Sequence, residues 1–215
     1  MNLRQFIKFI TARDTTFHGE FRCMRELAGS DCPRFVVDVG ANDGFYASNS
    51  YPFAARGWRS LLIEPHPEAF RKLILRHAKR PHVVCRQLAC GERPGRMPLW
   101  TGATGDTTHA TLAPESRDTP SNPWATDACE VDVVRLDGVL AEFGFPERFG
   151  ILSIDTEGWD VEVLRGMDLS RWRPRVIVTE DGERGTEEKG ALLHGNGYEC
   201  RKRIGVNSFW TPVSP

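Results

Sequence analysis

Phe35-Val36-Val37-Asp38-Val39-Gly40-Ala41-Asn42-Asp43-Gly44 is the stretch on which the reading of this chain turns. An apolar run of strand length carries an acid near its end and opens into a turn bearing two glycines. Lacking a Cβ, Gly40 and Gly44 take positive φ at little cost and let the backbone approach a ligand closely. A second run, Ser60-Leu61-Leu62-Ile63-Glu64, ends in a carboxylate twenty residues after Gly44. Nucleotide-binding α/β folds place the acid that holds a ribose diol at about this spacing. The pattern predicts the first two strands and the ligand loop of a Rossmann-like α/β fold.

Charge separates the candidate nucleotides. A dinucleotide site wants G-x-G-x-x-G and a loop free of acids, because a pyrophosphate rests on the helix N-terminus. This loop is G-x-x-x-G, with Asp38 and Asp43 beside its glycines. S-adenosylmethionine suits it better, since its sulfonium and amino groups are positive and its ribose still needs an acceptor such as Glu64. NAD is the disfavoured alternative, and plain turn glycines are the structural one.

With 215 residues, 40% apolar and 27% charged, the chain can bury a core as one domain. No apolar run reaches membrane-spanning length, and Met1 to Ile10 is interrupted by Arg4, Gln5 and Lys8, so a cytoplasmic protein without a signal sequence is expected. A formal net charge of −1 gives no electrostatic case for nucleic acid as a partner. The six cysteines form no C-x-x-C pair and read as reduced, partly core residues.

Helical spacing runs from Asn2 to Leu27, a segment expected to pack at an edge, cover the cofactor site or join a homodimer. Helices are predicted over Tyr46–Arg56, Glu68–Ala78 and Asp137–Phe143, and strands over His82–Leu88, Arg96–Trp100 and Glu130–Val134. Thr101 to Ala128 is rich in Thr, Ser, Gly, Pro, Asp and Ala and too long for an ordinary connection, so it reads as a binding loop or lid, with Gly102 to Leu112 nearest the substrate. The fourth main strand, Phe149 to Asp155, runs into Thr156-Glu157-Gly158-Trp159-Asp160 and a helix stopped by Gly166. The fifth, Arg175 to Glu180, is followed by Asp181, and Tyr198–Ile204 with Asn207–Thr211 closes as an antiparallel pair. Four of five main strand tips thus carry a carboxylate, on the edge where open α/β sheets bind ligands.

Four stretches resemble the class I S-adenosylmethionine-dependent methyltransferases, and among them the FkbM type. They are Val37 to Gly44, Ile63-Glu64-Pro65, Leu136 to Leu140 and, most specifically, Ile154-Asp155-Thr156-Glu157-Gly158-Trp159-Asp160-Val161-Glu162-Val163-Leu164-Arg165-Gly166. The resemblance runs from about Phe35 to Thr211. It implies a three-layer sandwich with a seven-stranded, mostly parallel sheet whose last strand is antiparallel, residues 1–34 being an N-terminal helical extension and 35–215 the catalytic domain. It also implies O-methylation of a small-molecule hydroxyl, on a sugar or polyketide-like metabolite. Asp38, Gly40, Asn42 and Gly44 would surround the methionine part, Glu64 would take the ribose, and Pro65 and Leu88 would lie beside the adenine. Two features depart from the family pattern: Glu180-Asp181-Gly182 and the 101–128 insertion. Both bear on the acceptor.

An alcohol is a poor nucleophile while protonated, so a base or a metal is expected. Asp155 is the first candidate, its structural alternative being a cap for the following helix. His109 in the insertion has a suitable pKa but is otherwise a solvated loop residue. Glu180 and Glu157 join Asp155 as a possible cluster, and Asp155, Glu180 and Asp181 are the set for Mg²⁺, with ion-paired structural acids the favoured account. Thr107, Glu157 and Trp159 are the candidate acceptor contacts, Trp159 as a stacking face. A methyltransferase-fold protein without catalysis remains the alternative function.

Overall fold

The computed structural model describes residues 14–101, 110–113, 127–182 and 185–213. In chain order its elements are α1 (Glu20–Ala28), β1 (Phe35–Val39), α2 (Tyr51–Ala54), β2 (Arg59–Ile63), α3 (Pro67–His77), β3 (Val83–Arg86), β4 (Ala89–Cys90) and β5 (Gly95–Thr101). They continue with β6 (Asp127–Val134), α4 (Leu136–Glu142), β7 (Arg148–Ile154), α5 (Asp160–Arg165), β8 (Arg173–Glu180), α6 (Thr186–Gly195), β9 (Tyr198–Ile204) and β10 (Asn207–Pro212).

Seven strands form one sheet in the order β3-β2-β1-β7-β8-β10-β9. Pairing is parallel from β3 to β8, while β10 runs antiparallel to both β8 and β9. The expected seven-stranded sheet with its last strand reversed is therefore present. Strand order changes direction between β1 and β7, and the crevice outside the carboxyl ends of such a pair is where open α/β sheets bind ligands.

The central strands are apolar throughout because helices cover both faces of the sheet. Val37, Val39, Leu152, Ile154 and Ile177 pack with Leu136 and Leu140 of α4, Val163 and Leu164 of α5 and Leu193 of α6. On the opposite face Val36, Ile151, Val176 and Val178 meet Phe21, Met24 and Ala28 of α1 and Phe53 of α2, and Leu62 meets Leu73 of α3. The described part of the N-terminal segment is thus a layer of the sandwich, its apolar stripe buried in its own chain; residues 1–13 lie outside the described residues. No described helix is long and apolar enough to cross a membrane.

Two expectations need correction. The helix predicted over Tyr46–Arg56 is reduced to α2, Tyr51–Ala54. Asp43 Oδ1 accepts the N–H groups of Phe45 (2.8 Å) and Tyr46 (2.9 Å), closing a turn, and Ala47 adopts φ +55°, which no helix permits. The strand predicted over His82–Leu88 pairs with β2 only through Arg86. Beyond it β4 leaves for a second sheet, ordered β4-β6-β5, which the sequence reading did not foresee.

Gly40 fixes the join between β1 and β7. Its φ is +89°, and a Cβ there would lie 1.8 Å from the Asp155 carbonyl oxygen. The Gly40 and Ala41 N–H groups both donate to Ile63 O, and the Asp155 N–H donates to Val39 O at 3.0 Å. Gly44 (φ +71°) instead faces α3, where a Cβ would meet Leu73 Cδ1 at 2.3 Å. A backbone carbonyl cannot move aside as a leucine methyl can. Gly40→Ala is accordingly expected to cost at least about 3 kcal/mol, and Gly44→Ala clearly less, in chemical denaturation monitored by circular dichroism.

Candidate functional site

A cavity of about 390 Å³ opens at the switch point between β1 and β7. Such a volume falls in the range of small-molecule sites. Asp38, Gly40, Asn42, Glu64, Pro65, Leu88, Asp155, Glu157, Trp159 and Glu180 all line it, so the structure gathers ten of the predicted site residues around one space.

On the β1–β2 side, Glu64 follows the last residue of β2 and is held by two backbone donors. The Asn42 N–H donates to Oε2 at 2.8 Å and the His66 N–H to Oε1 at 2.7 Å. Each oxygen keeps a lone pair for a hydroxyl. Burial pushes the Glu64 carboxyl up to about 7, against the lowering effect of those two bonds. Asp38 sits one residue before the end of β1 and is equally enclosed. It accepts from Ser50 Oγ at 2.5 Å and from Ser153, and burial raises it to about 6. Ser153 in turn accepts from Asn49 Nδ2 at 3.1 Å, and Asn49 lines the cavity. Asn42 stands at φ +46°, a conformation that asparagine tolerates better than most residues.

On the β7–β8 side, one carboxylate oxygen from each of Asp155, Glu157 and Glu180 lies within 4.8 Å of the others. Among the described residues, Asp155 Oδ1 is buried without a hydrogen-bond partner. Burial, followed by the charges of Glu180, Glu157, Asp160 and Asp38, drives the Asp155 carboxyl well above the usual range. The helix-cap alternative for Asp155 does not hold: α5 starts at Asp160, its N-cap is Trp159, and no side chain caps it. Glu157 takes φ +53°, and its carbonyl accepts from Thr111 Oγ1 at 2.7 Å.

The second sheet supplies one wall. Trp159 packs against the main core and also against the cluster of Ala89, Leu99, Leu112, Val131 and Val133. Of the 101–128 insertion, Ala110 and Leu112 reach the cavity; His109 and Thr107 lie outside the described residues. At the mouth, Phe17 and Tyr46 meet edge to face at 5.2 Å, and both stay open to solvent, 40% and 51%.

Three predicted residues or arguments fall elsewhere. Gly44 packs on α3 and is not part of the lining. Asp181 accepts from Ser208 Oγ and pairs with Arg203 at 3.3 Å, so the metal set named from sequence loses Asp181 and gains Glu157. Asp43 is spent on its own turn and does not supply a charge to the cavity. His66, next to Pro65, is the N-cap of α3, its Nδ1 accepting from the Glu68 and Ala69 N–H groups. Glu20, Asn49 and Ser153 were missed, and so was the buried Asp160–Lys189 pair behind the acids. Only Asp160 carried a signal, as the last acid of the Asp155-to-Asp160 run.

The family model for the methyltransferase FkbM domain matches residues 38–200. The methyltransferase sdnD of Sordaria araneosa is 31% identical over 218 positions, covering 87% of this chain and 81% of the relative. Methyltransferase 1 of Beauveria bassiana (strain ARSEF 2860) is 27% identical over 157 positions, covering 64% of this chain and 60% of that protein. Among solved structures, the methyltransferase FkbM from Methylobacillus flagellatus KT superposes with a TM-score of 0.53 at 15% identity. That match covers 83% of this chain, which spans less than half, 43%, of that protein. A methyltransferase from Geobacter sulfurreducens gives 0.52 at 15% identity, covering 97% and 86%. These structural likenesses speak for the fold alone. The sequence match extends from the buried acid of β1 into β9 and takes in both acidic sides of the cavity: the chain belongs to the FkbM methyltransferase family.

Proposed function

We propose that this chain transfers a methyl group from S-adenosylmethionine to a hydroxyl oxygen of a small molecule, a sugar or polyketide-like metabolite. The observation that carries the reading is the buried, unpartnered Asp155 Oδ1 at the strand tip that Gly40 touches. A hydroxyl O–H directed at that oxygen would give it a partner.

The residues divide the work by position. Glu64 accepts from the ribose hydroxyls, with Pro65 and Leu88 against the adenine. Asp38, Asn42 and the backbone at Gly40 would hold the methionine portion, the buried carboxylate of Asp38 favouring its positive charges. S-adenosylmethionine supplies a methyl group on a positively charged sulfur, open to in-line attack. Asp155 accepts the proton of the acceptor hydroxyl as the oxygen attacks; a base so placed contributes roughly a hundred- to ten-thousand-fold. Alignment of the two reactants contributes more, about 7 to 11 kcal/mol. Trp159 and Glu157 flank the acceptor. Phe17 and Tyr46 narrow the mouth against water.

The spacing of the three acids also favours a second reading. Oxygens of Asp155, Glu157 and Glu180 within 4.8 Å suit a hard divalent cation such as Mg²⁺, which would acidify a bound hydroxyl in place of a base.

Calorimetric titration is expected to show binding of S-adenosylmethionine and none of NAD, and Glu64→Gln should weaken the former at least about tenfold; binding of NAD alone would remove the assignment. The affinity should also depend on pH with a definite sign. Asp38 and Glu64 titrate higher in the fold, at about 6 and about 7, than the ordinary carboxylate range. The free protein therefore binds extra protons and loses stability as pH rises from about 4 to 7. A cationic ligand prefers the ionised acids, so its affinity should rise over pH 6 to 7 while the melting temperature of the free protein falls. In a mass-resolved screen of glycosides and hydroxylated metabolites, turnover should survive EDTA and drop at least about a hundredfold in Asp155→Asn. Loss in EDTA with recovery on adding Mg²⁺ would select the metal reading.

A further inference from the structure

Past Ile154 and Thr179 the ladder between β7 and β8 ends, and the two tips that carry Asp155 and Glu180 have no strand pairing to each other. One side chain bridges them. Asp160 Oδ1 accepts from Thr156 N–H at 3.1 Å and Thr156 Oγ1 at 2.6 Å, and Oδ2 accepts from Glu180 N–H at 3.2 Å. Lys189, from the first turn of α6, places Nζ 3.4 Å from Asp160 Oδ2 and donates to the Glu180 carbonyl. Both backbone polar groups of Glu180 are thereby held by this pair. The two side chains are 3% and 4% exposed, and neither lines the cavity.

Stability alone does not account for such a pair. Taking two charges out of water costs several kcal/mol per ion, and apolar replacements of buried pairs are often neutral or stabilising. What an apolar pair could not do is receive the N–H groups of Thr156 and Glu180 at one carboxylate. We propose that Asp160 and Lys189 are the positioning residues of the methyl-transfer edge: they fix the tips of β7 and β8 so that the carboxylates of Asp155 and Glu180 converge on one reacting oxygen. The inference rests on the reading of Asp155 as the group beside the acceptor hydroxyl. It is separate from cofactor binding, which uses the tips of β1 and β2.

The Asp155 carboxyl is faced by Asp38 from β1, Glu157 and Asp160 from the segment leading into α5, and Glu180 from β8, with Lys189 of α6 behind Asp160. Like charges push these carboxyls apart, so the fixed strand tips are what keep them convergent.

The test uses the full chain as Lys189→Met, as Lys189→Arg and as the charge-free double variant Asp160→Leu with Lys189→Met, which removes both acceptor oxygens and avoids stranding one buried charge. Amide hydrogen exchange is followed at Thr156 and Glu180, with Gly40 and Ala41 as internal references. Calorimetry follows S-adenosylmethionine, and turnover of an acceptor found in the screen is resolved into kcat and the KM of the cofactor. In the double variant, exchange at Thr156 and Glu180 should accelerate at least about tenfold with Gly40 and Ala41 unchanged, and the cofactor dissociation constant should stay within about threefold. Lys189→Met should lower kcat at least about tenfold with the cofactor KM little changed, and Lys189→Arg should restore it. Wild-type protection at Thr156 and Glu180, equal loss at all four amides, or an undiminished kcat in Lys189→Met would each overturn the proposal. A wild-type chain that fails to bind S-adenosylmethionine would instead remove the proposed function, a result read independently of the amides.

Discussion

The contact between Gly40 and the Asp155 carbonyl leaves no room for a side-chain carbon. It brings the loop after β1 against the tip of β7 and sets the spacing between the residues assigned to the donor and those assigned to the acceptor. Hydrogen bonds on either side lock it, from Gly40 and Ala41 to Ile63 and from Asp155 to Val39. Three neighbouring strand tips thus become one rigid edge. In-line transfer rewards that rigidity, because misplacement by about an ångström can cost two orders of magnitude in rate.

The same edge is electrostatically costly. Asp38 and Glu64 are enclosed enough to be pushed to about 6 and about 7, and Asp155 lies among further acids. A domain selected for stability alone would not gather carboxylates in this way, whereas functional sites do. Hydroxyls of Ser50 and Ser153 offset part of the cost at Asp38, and Lys189 does so at Asp160.

The sheet and its acidic edge were legible in the sequence because they rest on local patterns. Doubly covered parallel strands are continuous apolar runs, and Glu64, Asp155 and Glu180 close three of them. Features set by tertiary pairing were not legible. Asp160 and Lys189 are 29 positions apart, and nothing in either neighbourhood announces the other. Gly44 looked like Gly40 in a motif, yet its surroundings belong to α3. Asp181 follows Glu180 in extended backbone, where successive side chains point to opposite faces, so adjacency in sequence sent it to Ser208 and away from the cavity. The apolar residues of β5 and β6 were recognised as extended segments, but period alone does not say which of two sheets a strand joins.

The ladder between β5 and β6 runs to its last rung, Thr101 opposite Asp127. The polypeptide leaves and re-enters the scaffold at one doorway, so lengthening or shortening what lies between changes the ring-closure entropy only slowly. That makes Thr101 and Asp127 the natural splice points for exchanging the segment between them.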